Sequence, residues 1–352
     1  MISARLIVAA ALAMPAVSFG VDQELPHRGG YREEARVERV IVDAYVIDSS
    51  GNPIPDLTLE NFRVRVDGKP IALESVEWIP ADKPEALPLD EMDAAGVSAE
   101  SSVSEIPPGR LLVFFFQTDF TPIRLIGLVR MGIQARRFLD TLLPTDRVAV
   151  LSFDSHLKLR QDFTNDHDKI RTAIDASLKT GAPPEPDPDS APSLAREFDF
   201  RAARKAVTPE KALAIISHAA RPIAGAKSLI FFGWGLQIIG GAYGANPRDI
   251  RDYQEAMPAI AAARINIFTL DVTDADYHSL EHVLHNVSDL TGGLYIKTNH
   301  FANLAMDRVR RAISGRYVLV FVKPNGSHGA HRIEVGLTGR KGEVNARQYY
   351  VD

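Results

Sequence analysis

Apolar and polar positions alternate near the start of the chain, between residues 36 and 79. Val40, Val42, Ala44 and Val46 recur with a period of two, and residues 62–66 alternate again. Clusters of turn residues at 49–53 and 67–68 separate these stretches. A period of two between turn signals is typical of half-buried strands. The pattern therefore predicts a small antiparallel β segment over residues 36–79 with one apolar face and one solvated face.

A different pattern begins at residue 110 and continues to about residue 313. Short apolar runs alternate there with longer amphipathic stretches, the runs being "RLLVFFF", "RVAVLSF", "KSLIFFG" and "INIFTLD". Strands that alternate with helices indicate a mostly parallel sheet with helices on both faces. We predict an α/β fold of Rossmann-like type for residues 110–313.

The remaining segments complete the domain plan. Residues 80–109 are rich in proline, serine and acidic residues without periodicity, which predicts a linker. Residues 315–352 return to strand-like alternation. Because a few strands alone do not bury an apolar face, we predict that 315–352 packs with 36–79 as one additional small β domain.

The N-terminal 20 residues have the order of a secretory signal peptide. Arg5 precedes an apolar run, and small residues follow up to Gly20. The run is too short to span a bilayer. We therefore expect cleavage after residue 20, a secreted or periplasmic protein, and no membrane insertion of the mature chain.

The composition and motifs of the chain exclude several kinds of binding and catalytic site. The 352-residue chain has a formal net charge of -5, which gives no reason to expect nucleic acid as a partner. It contains no cysteine, which excludes disulfides, thiolate metal sites and cysteine nucleophiles. No GxSxG or HExxH motif occurs, and the glycine-rich stretch "GWGLQIIGGAYGANP" lacks the Lys-Ser/Thr of a phosphate-binding loop, so we expect an ordinary loop there.

The apolar run "LLVFFF" ends abruptly in Gln117, Thr118 and Asp119. A buried parallel strand delivers such polar residues to the carboxyl edge of an α/β sheet, where binding sites are built. This edge is the first candidate site.

The order of several phrases resembles secreted bacterial proteins with a von Willebrand factor A-related domain. The phrases are "VIDSSGNPIPDLTLENFRVRVDGK", "RRFLDTLLPTDRVAVLSF", "LTGGLYIKT" and the closing "RYVLVFVKP". The resemblance implies a von Willebrand A domain that recognises another protein through its sheet edge. In members that bind metal, an Asp-x-Ser-x-Ser motif follows the first strand, and an Asp-Gly follows the strand that reads "KSLIFFGWG" here.

Carried onto this sequence, the first motif falls on Gln117, Asp119 and Thr121, and Trp234 replaces the Asp before Gly235. An amide and an indole in place of two carboxylates remove most of the attraction for Mg²⁺. We therefore predict a non-enzymatic protein-binding module with a degenerate, metal-free edge formed by Gln117, Thr118, Asp119, Thr121 and Trp234. The alternative is a Mg²⁺-dependent adhesion domain that uses Asp119 and Thr121.

A histidine-rich segment, "YHSLEHVLHNVSDLTGG", provides a second alternative. Plotted as one helix, it places His278, His282 and His285 on a face with Asp289, opposite an apolar face. Imidazoles at these spacings reach a common Zn²⁺ ion, as a zinc-dependent enzyme would require. A solvated helix face is the ordinary state of such a pattern, so we predict no enzyme, no resident cofactor and no metal here.

Overall fold

The computed structural model describes residues 38–83, 109–184, 191–236, 247–326 and 328–351. The predicted signal peptide and residues 84–108 of the predicted linker lie outside the described residues, and both stay predictions. Within those five ranges, every helix is too short or too polar to cross a membrane.

Strands and helices follow the predicted order. The strands are β1 Arg39–Ile47, β2 Phe62–Val66, β3 Lys69–Ile71, β4 Ser75–Pro80, β5 Leu111–Gln117, β6 Arg147–Phe153, β7 Leu157–Thr164, β8 Lys227–Gly233, β9 Ile265–Asp271, β10 Tyr295–Lys297, β11 Gly315–Val322, β12 Ala330–Leu337, β13 Glu343–Ala346 and β14 Tyr349–Val351. The helices are α1 Pro122–Leu139, α2 His167–Ser177, α3 Phe200–Ala203, α4 Pro209–Ala220, α5 Pro247–Ala262, α6 Glu281–Thr291 and α7 Ala302–Ala312. A 3-10 turn spans Leu59–Asn61.

The central sheet has six strands in the order β10-β9-β8-β5-β6-β7. All neighbours are parallel except β7, which pairs antiparallel with β6. Counted along the chain, this is the strand order of Rossmann-like doubly wound sheets. The order reverses between β5 and β8, so the carboxyl ends of these two strands flank the position where such sheets bind ligands.

Strand β5 is apolar at every position from Leu111 to Phe116, and it is buried on both faces of the sheet. Leu112, Phe114 and Phe116 pack in the layer that contains α1, α2 and α7. Alternate residues, including Phe115, pack in the layer of α4, α5 and α6. The unbroken apolar run of the strand follows from this double coverage.

The two ends of the chain form the additional β domain. Two four-stranded sheets, β13-β1-β11-β4 and β14-β12-β2-β3, enclose an apolar core that includes Val42, Val64, Tyr317 and Phe321. β1 pairs antiparallel with β11, so residues near both ends of the described chain occupy neighbouring strands. The predicted fold class, an α/β domain with helices on both faces plus a β domain from both terminal segments, is confirmed.

The prediction of one apolar and one solvated face is wrong for β1. Val42 and Ala44 face the β-domain core, but Tyr45 and Ile47 on the other face pack into the α/β core. Asp43 on that face is also buried, and it lies between the guanidinium groups of Arg264 and Arg316. The α/β domain covers the face that alternation alone assigns to water, whereas β2 does alternate between buried and exposed positions.

Strand β7 was not predicted because charged residues interrupt its apolar pattern. Lys158, Arg160 and Asp162 are nevertheless buried, and each has a polar partner. The Lys158 amine lies 2.5 Å from Asp154, and Arg160 donates to Ser152 at 2.8 Å. Asp162 accepts hydrogen bonds from the Ser193 hydroxyl and from the N–H groups of residues 194 and 195. Buried charges persist when they are paired, so their presence does not exclude a strand.

Candidate binding edge of the central sheet

Gln117 ends β5 at the point where the strand order reverses, and its side chain is buried. Its Oε1 atom accepts hydrogen bonds from the backbone N–H groups of Trp234 at 3.0 Å and Gly235 at 3.2 Å. The amide thus connects the end of β5 to the segment that follows β8. Two backbone N–H groups therefore occupy the side-chain oxygen of Gln117, the residue at the first position of the metal-binding motif.

Thr118 turns into the protein. Its hydroxyl group donates to the carbonyl of Ser177 at 2.7 Å, and its N–H group donates to the carbonyl of Phe153 at the same distance. The side chain is 7% exposed. Thr118 therefore fastens the C-terminal end of α2 beneath the edge and contributes little to the surface.

Asp119 and Thr121 form the turn that leads into α1. The Oδ1 atom of Asp119 accepts from the N–H of Thr121 at 2.8 Å, and Oδ2 pairs with Nη1 of Arg124. Burial raises the pKa of Asp119, but the Thr121 N–H and the Arg124 guanidinium more than offset this effect and lower it below its usual range. Thr121 is the N-cap of α1 and makes no side-chain cap hydrogen bond.

The guanidinium group of Arg124 lies over the Trp234 ring, 3.5 Å from the ring centroid. Trp234 is half-buried and packs against the core layer that contains α1. Arg124 is thus held by a carboxylate on one side and by an aromatic face on the other. Arg124 was not predicted as a site residue from the sequence. The signal that could have identified it is its position in the first turn of the helix that follows β5.

These contacts decide whether the edge suits the metal that the resemblance implies. The Gln117 oxygen is used by two amides, and the Asp119 carboxylate is neutralised by Arg124. Mg²⁺ requires several hard oxygen ligands in near-octahedral geometry, and a fixed guanidinium nearby repels a divalent cation. The residues present at this edge do not fit a Mg²⁺ site.

Large apolar side chains are exposed in the same segment of the chain. Phe120 is 50% exposed and Ile123 is 47% exposed, and both are close in sequence to Arg124. Further exposed apolar residues continue along α1 at Ile126, Val129 and Ile133. Their spacing of three and four residues places them on one side of the helix. Position 124 is about 100° from position 123 around the helix axis and farther from the other three, so the apolar stripe and the contact between Arg124 and Trp234 lie on different sides of α1.

A second polar cluster lies at the end of β9 and involves the predicted histidines. Asp271 is buried and accepts from the Thr273 N–H at 3.0 Å and the Tyr295 hydroxyl at 2.9 Å, while Nε2 of His278 lies 2.7 Å away. Burial and the adjacent Asp271 carboxylate raise the pKa of Tyr295 far above its ordinary value. This cluster fixes the loop after β9.

The prediction of one helix with three histidines on a common face is wrong. Helix α6 begins at Glu281, so His278 precedes it and turns toward Asp271. His282 and His285 are exposed, and Nδ1 of His285 lies 3.0 Å from Asp289. Across the described residues, no three His, Cys, Asp or Glu side chains are grouped as metal ligands. The zinc-enzyme alternative therefore has no assembled site in the described part of the chain.

The Ser155 hydroxyl lies 3.0 Å from Nδ1 of His156, which invites comparison with a hydrolase. The Asp154 carboxylate, however, contacts Ser155 and Lys158 rather than the imidazole. A catalytic triad needs the carboxylate on the far nitrogen of the histidine. Because Asp154 does not contact the His156 imidazole here, the three residues do not form a catalytic triad.

No family model matches the sequence, and no curated protein matches it. Several solved structures are similar to the chain. One is a von Willebrand factor type A protein from Catenulispora acidiphila, with 9% identity, a TM-score of 0.38, and coverage of 86% of this chain and 75% of that one.

Two others have comparable scores. BatB from Bacteroides thetaiotaomicron has 12% identity, covers 58% of this chain and 99% of its own, and has a TM-score of 0.34. Proximal thread matrix protein 1 from the mussel byssus, solved with a zinc-occupied MIDAS motif, has 10% identity, covers 59% of this chain and 47% of its own, and has a TM-score of 0.36. Likeness at this level carries no information about function.

Proposed function

We propose that the protein is a non-enzymatic protein-binding module of von Willebrand A type, which binds its partner at the carboxyl edge of the central sheet without a metal ion. One observation carries the proposal: at the reversal point of the strand order, Arg124 stacks on Trp234, and the turn that leads into α1 exposes Phe120 and Ile123. Aromatic residues and arginine are enriched at protein interfaces. Export, predicted from residues 1–20, belongs to the same proposal.

The geometry also supports the metal-independent form of the proposal. Asp119 is engaged by Arg124 and by the N–H of Thr121, and Gln117 is engaged by the segment after β8. A partner that binds this edge therefore meets a surface whose charges are fixed by protein groups.

Site-specific photo-cross-linking in the producing cells tests the proposal. A photoreactive phenylalanine analogue replaces Phe120, and the matched control replaces Leu59, which is 43% exposed in the β domain. We expect discrete protein adducts from position 120 that persist when divalent cations are chelated. The absence of adducts at position 120, equal adducts from both positions, or loss on chelation would contradict the proposal.

A further inference from the structure

A cavity lies between the β domain and the amino end of the central sheet, opposite the carboxyl edge of that sheet. Its walls come from the segment after β4, the first residues of β5 and β8, and the start of β11. Its volume is about 40 Å³. A buried water molecule needs about 10–15 Å³ of such space. The cavity therefore suits a compact group of a few heavy atoms rather than a large ligand.

The charged side chains around this cavity have one sign. Among the described residues that line it, Lys83, Arg110 and Arg316 carry a positive charge, and none carries a negative charge. Lys83 is exposed, so ions in solution reach this part of the wall. Within the described ranges, the Lys83 amine pairs with no acidic side chain. Because a cleft lined by charges of one sign concentrates the opposite sign, the cavity attracts anions.

Two carboxylates outside the cavity hold its arginines in place. Asp146 accepts from Nε of Arg110 at 3.1 Å and from Nη2 at 2.5 Å. Asp43 accepts from Nε of Arg316 at 3.0 Å and also pairs with Arg264. Neither carboxylate lines the cavity. The two acids thus orient the guanidinium groups without occupying the space that an anion would fill.

Two buried hydroxyl groups line the same space. The Tyr45 hydroxyl lies 3.3 Å from Oγ of Ser228. Burial raises the pKa of Tyr45, and the Arg316 and Arg110 guanidinium groups offset part of this effect, so both cations lie near the phenol. One proton is enough to join two hydroxyl groups. The second O–H of the pair is therefore available as a donor to a ligand oxygen.

The positions of these donors favour one shape of anion. They lie on different elements, with Tyr45 on β1, Ser228 on β8 and Arg316 on β11, so they approach the cavity from several sides. A carboxylate accepts hydrogen bonds mainly in one plane, whereas the oxygens of a phosphate group point in several directions. A phosphate group also carries a charge of about −1.5 to −2 near neutral pH, which suits a site with three cations.

We propose that this cavity binds a tetrahedral oxyanion of the phosphate or sulfate class. Lys83, Arg110 and Arg316 supply the positive charge, and the hydroxyl pair of Tyr45 and Ser228 supplies a neutral donor. The site lies at the amino end of the sheet, so it is separate from the carboxyl edge and does not depend on the proposed function. Because both domains line the cavity, a bound anion stabilises the contact between them.

Calorimetric titration of the purified full chain with inorganic phosphate and with sulfate tests the inference, with the ionic strength held constant by chloride. We expect saturable binding and a rise in melting temperature that chloride alone does not produce. Lys83→Met should weaken binding by about 3- to 10-fold, the effect of losing one exposed cation, and Lys83→Glu should abolish it. Lys341→Met, at an exposed lysine between β12 and β13, is the matched control and should leave binding unchanged.

The same titration with glycerol 3-phosphate and with acetate identifies the ligand more closely. Tighter binding of glycerol 3-phosphate than of inorganic phosphate would identify the end group of a larger molecule as the ligand, and weaker binding would identify the free ion; both results support the inference. Because Lys83 is exposed, its variants should melt like the unmodified protein when no anion is added. Absence of saturable binding by both phosphate and sulfate, equal binding by Lys83→Glu, or acetate that binds as tightly as phosphate would overturn the inference.

Discussion

Replacing Asp43 by asparagine should destabilise the contact between the β domain and the α/β domain. Asp43 is 4% exposed on β1. Its oxygens accept from Arg264 at 2.8 and 3.1 Å and from Arg316 at 3.0 Å. The substitution removes the anion and keeps both buried cations. Loss of one partner from such a buried cluster costs about 3–5 kcal/mol.

The acid dependence of this contribution has a definite sign. Burial alone would raise the pKa of Asp43, but the two guanidinium groups more than offset burial and hold the pKa well below its ordinary range. A carboxyl group with a lowered pKa contributes stability above its unfolded-state pKa of about 3.9, and this contribution is lost as the pH falls toward the folded-state pKa. The difference between unmodified protein and Asp43→Asn should therefore be constant near neutral pH and shrink below about pH 4.

Urea unfolding followed by circular dichroism measures both effects. The control is Asp56→Asn, since Asp56 pairs with Arg340 through exposed side chains. We expect little change from the control because exposed ion pairs contribute little to stability. An equally small loss for Asp43→Asn, or a difference that grows toward acidic pH, would show that Arg264 and Arg316 do not stabilise the Asp43 carboxylate in this way.

Three further predictions concern packing. Gln117→Ala removes the acceptor of two backbone amides in the edge and should lower the unfolding free energy by about 1–3 kcal/mol in urea titration. Gly127→Ala should destabilise the protein by about 1–3 kcal/mol, because a methyl group there would overlap the Val272 carbonyl. The control Gly132→Ala, in the same helix, meets only a flexible leucine side chain and should cost less. Equal melting temperatures for the two variants would contradict this prediction. Deleting residues 315–352 removes β11, the partner of β1 and β4, so amide protection in those two strands should be lost, and retained protection would show that they fold alone.

The sequence pattern predicted the structure best where a whole strand has the same environment on both faces. β5 is buried on both faces, so its apolar run predicted both the strand and the polar edge that follows it. β1 shows the limit of the same reasoning. Its alternating valines predicted one buried face, but Tyr45 and Asp43 are buried by a domain that is distant in sequence. Alternation describes one face of a strand and carries no information about a second domain.

Charged residues show the same limit at the candidate site. The replacement of expected carboxylates by Gln117 and Trp234 was visible in the sequence, but Arg124 acquires its role only when α1 places it over the indole. Likewise, the spacing of His278 fitted a helix face, yet its contact with Asp271 fixes it before the helix begins. The periodicity of one segment does not predict contacts between separate helices and strands.

Metal titration distinguishes a sheet edge held by Arg124 and fixed protein contacts from an edge that binds a cation. Thermal unfolding is measured with and without millimolar Mg²⁺ or Mn²⁺, alongside calorimetric titration of the same ions. A bound ion would stabilise the folded state by RT ln(1 + [L]/Kd). We expect no binding heat and no shift in melting temperature. A cation-dependent rise in melting temperature that Asp119→Ala abolishes would contradict this expectation and would establish a metal site at Asp119.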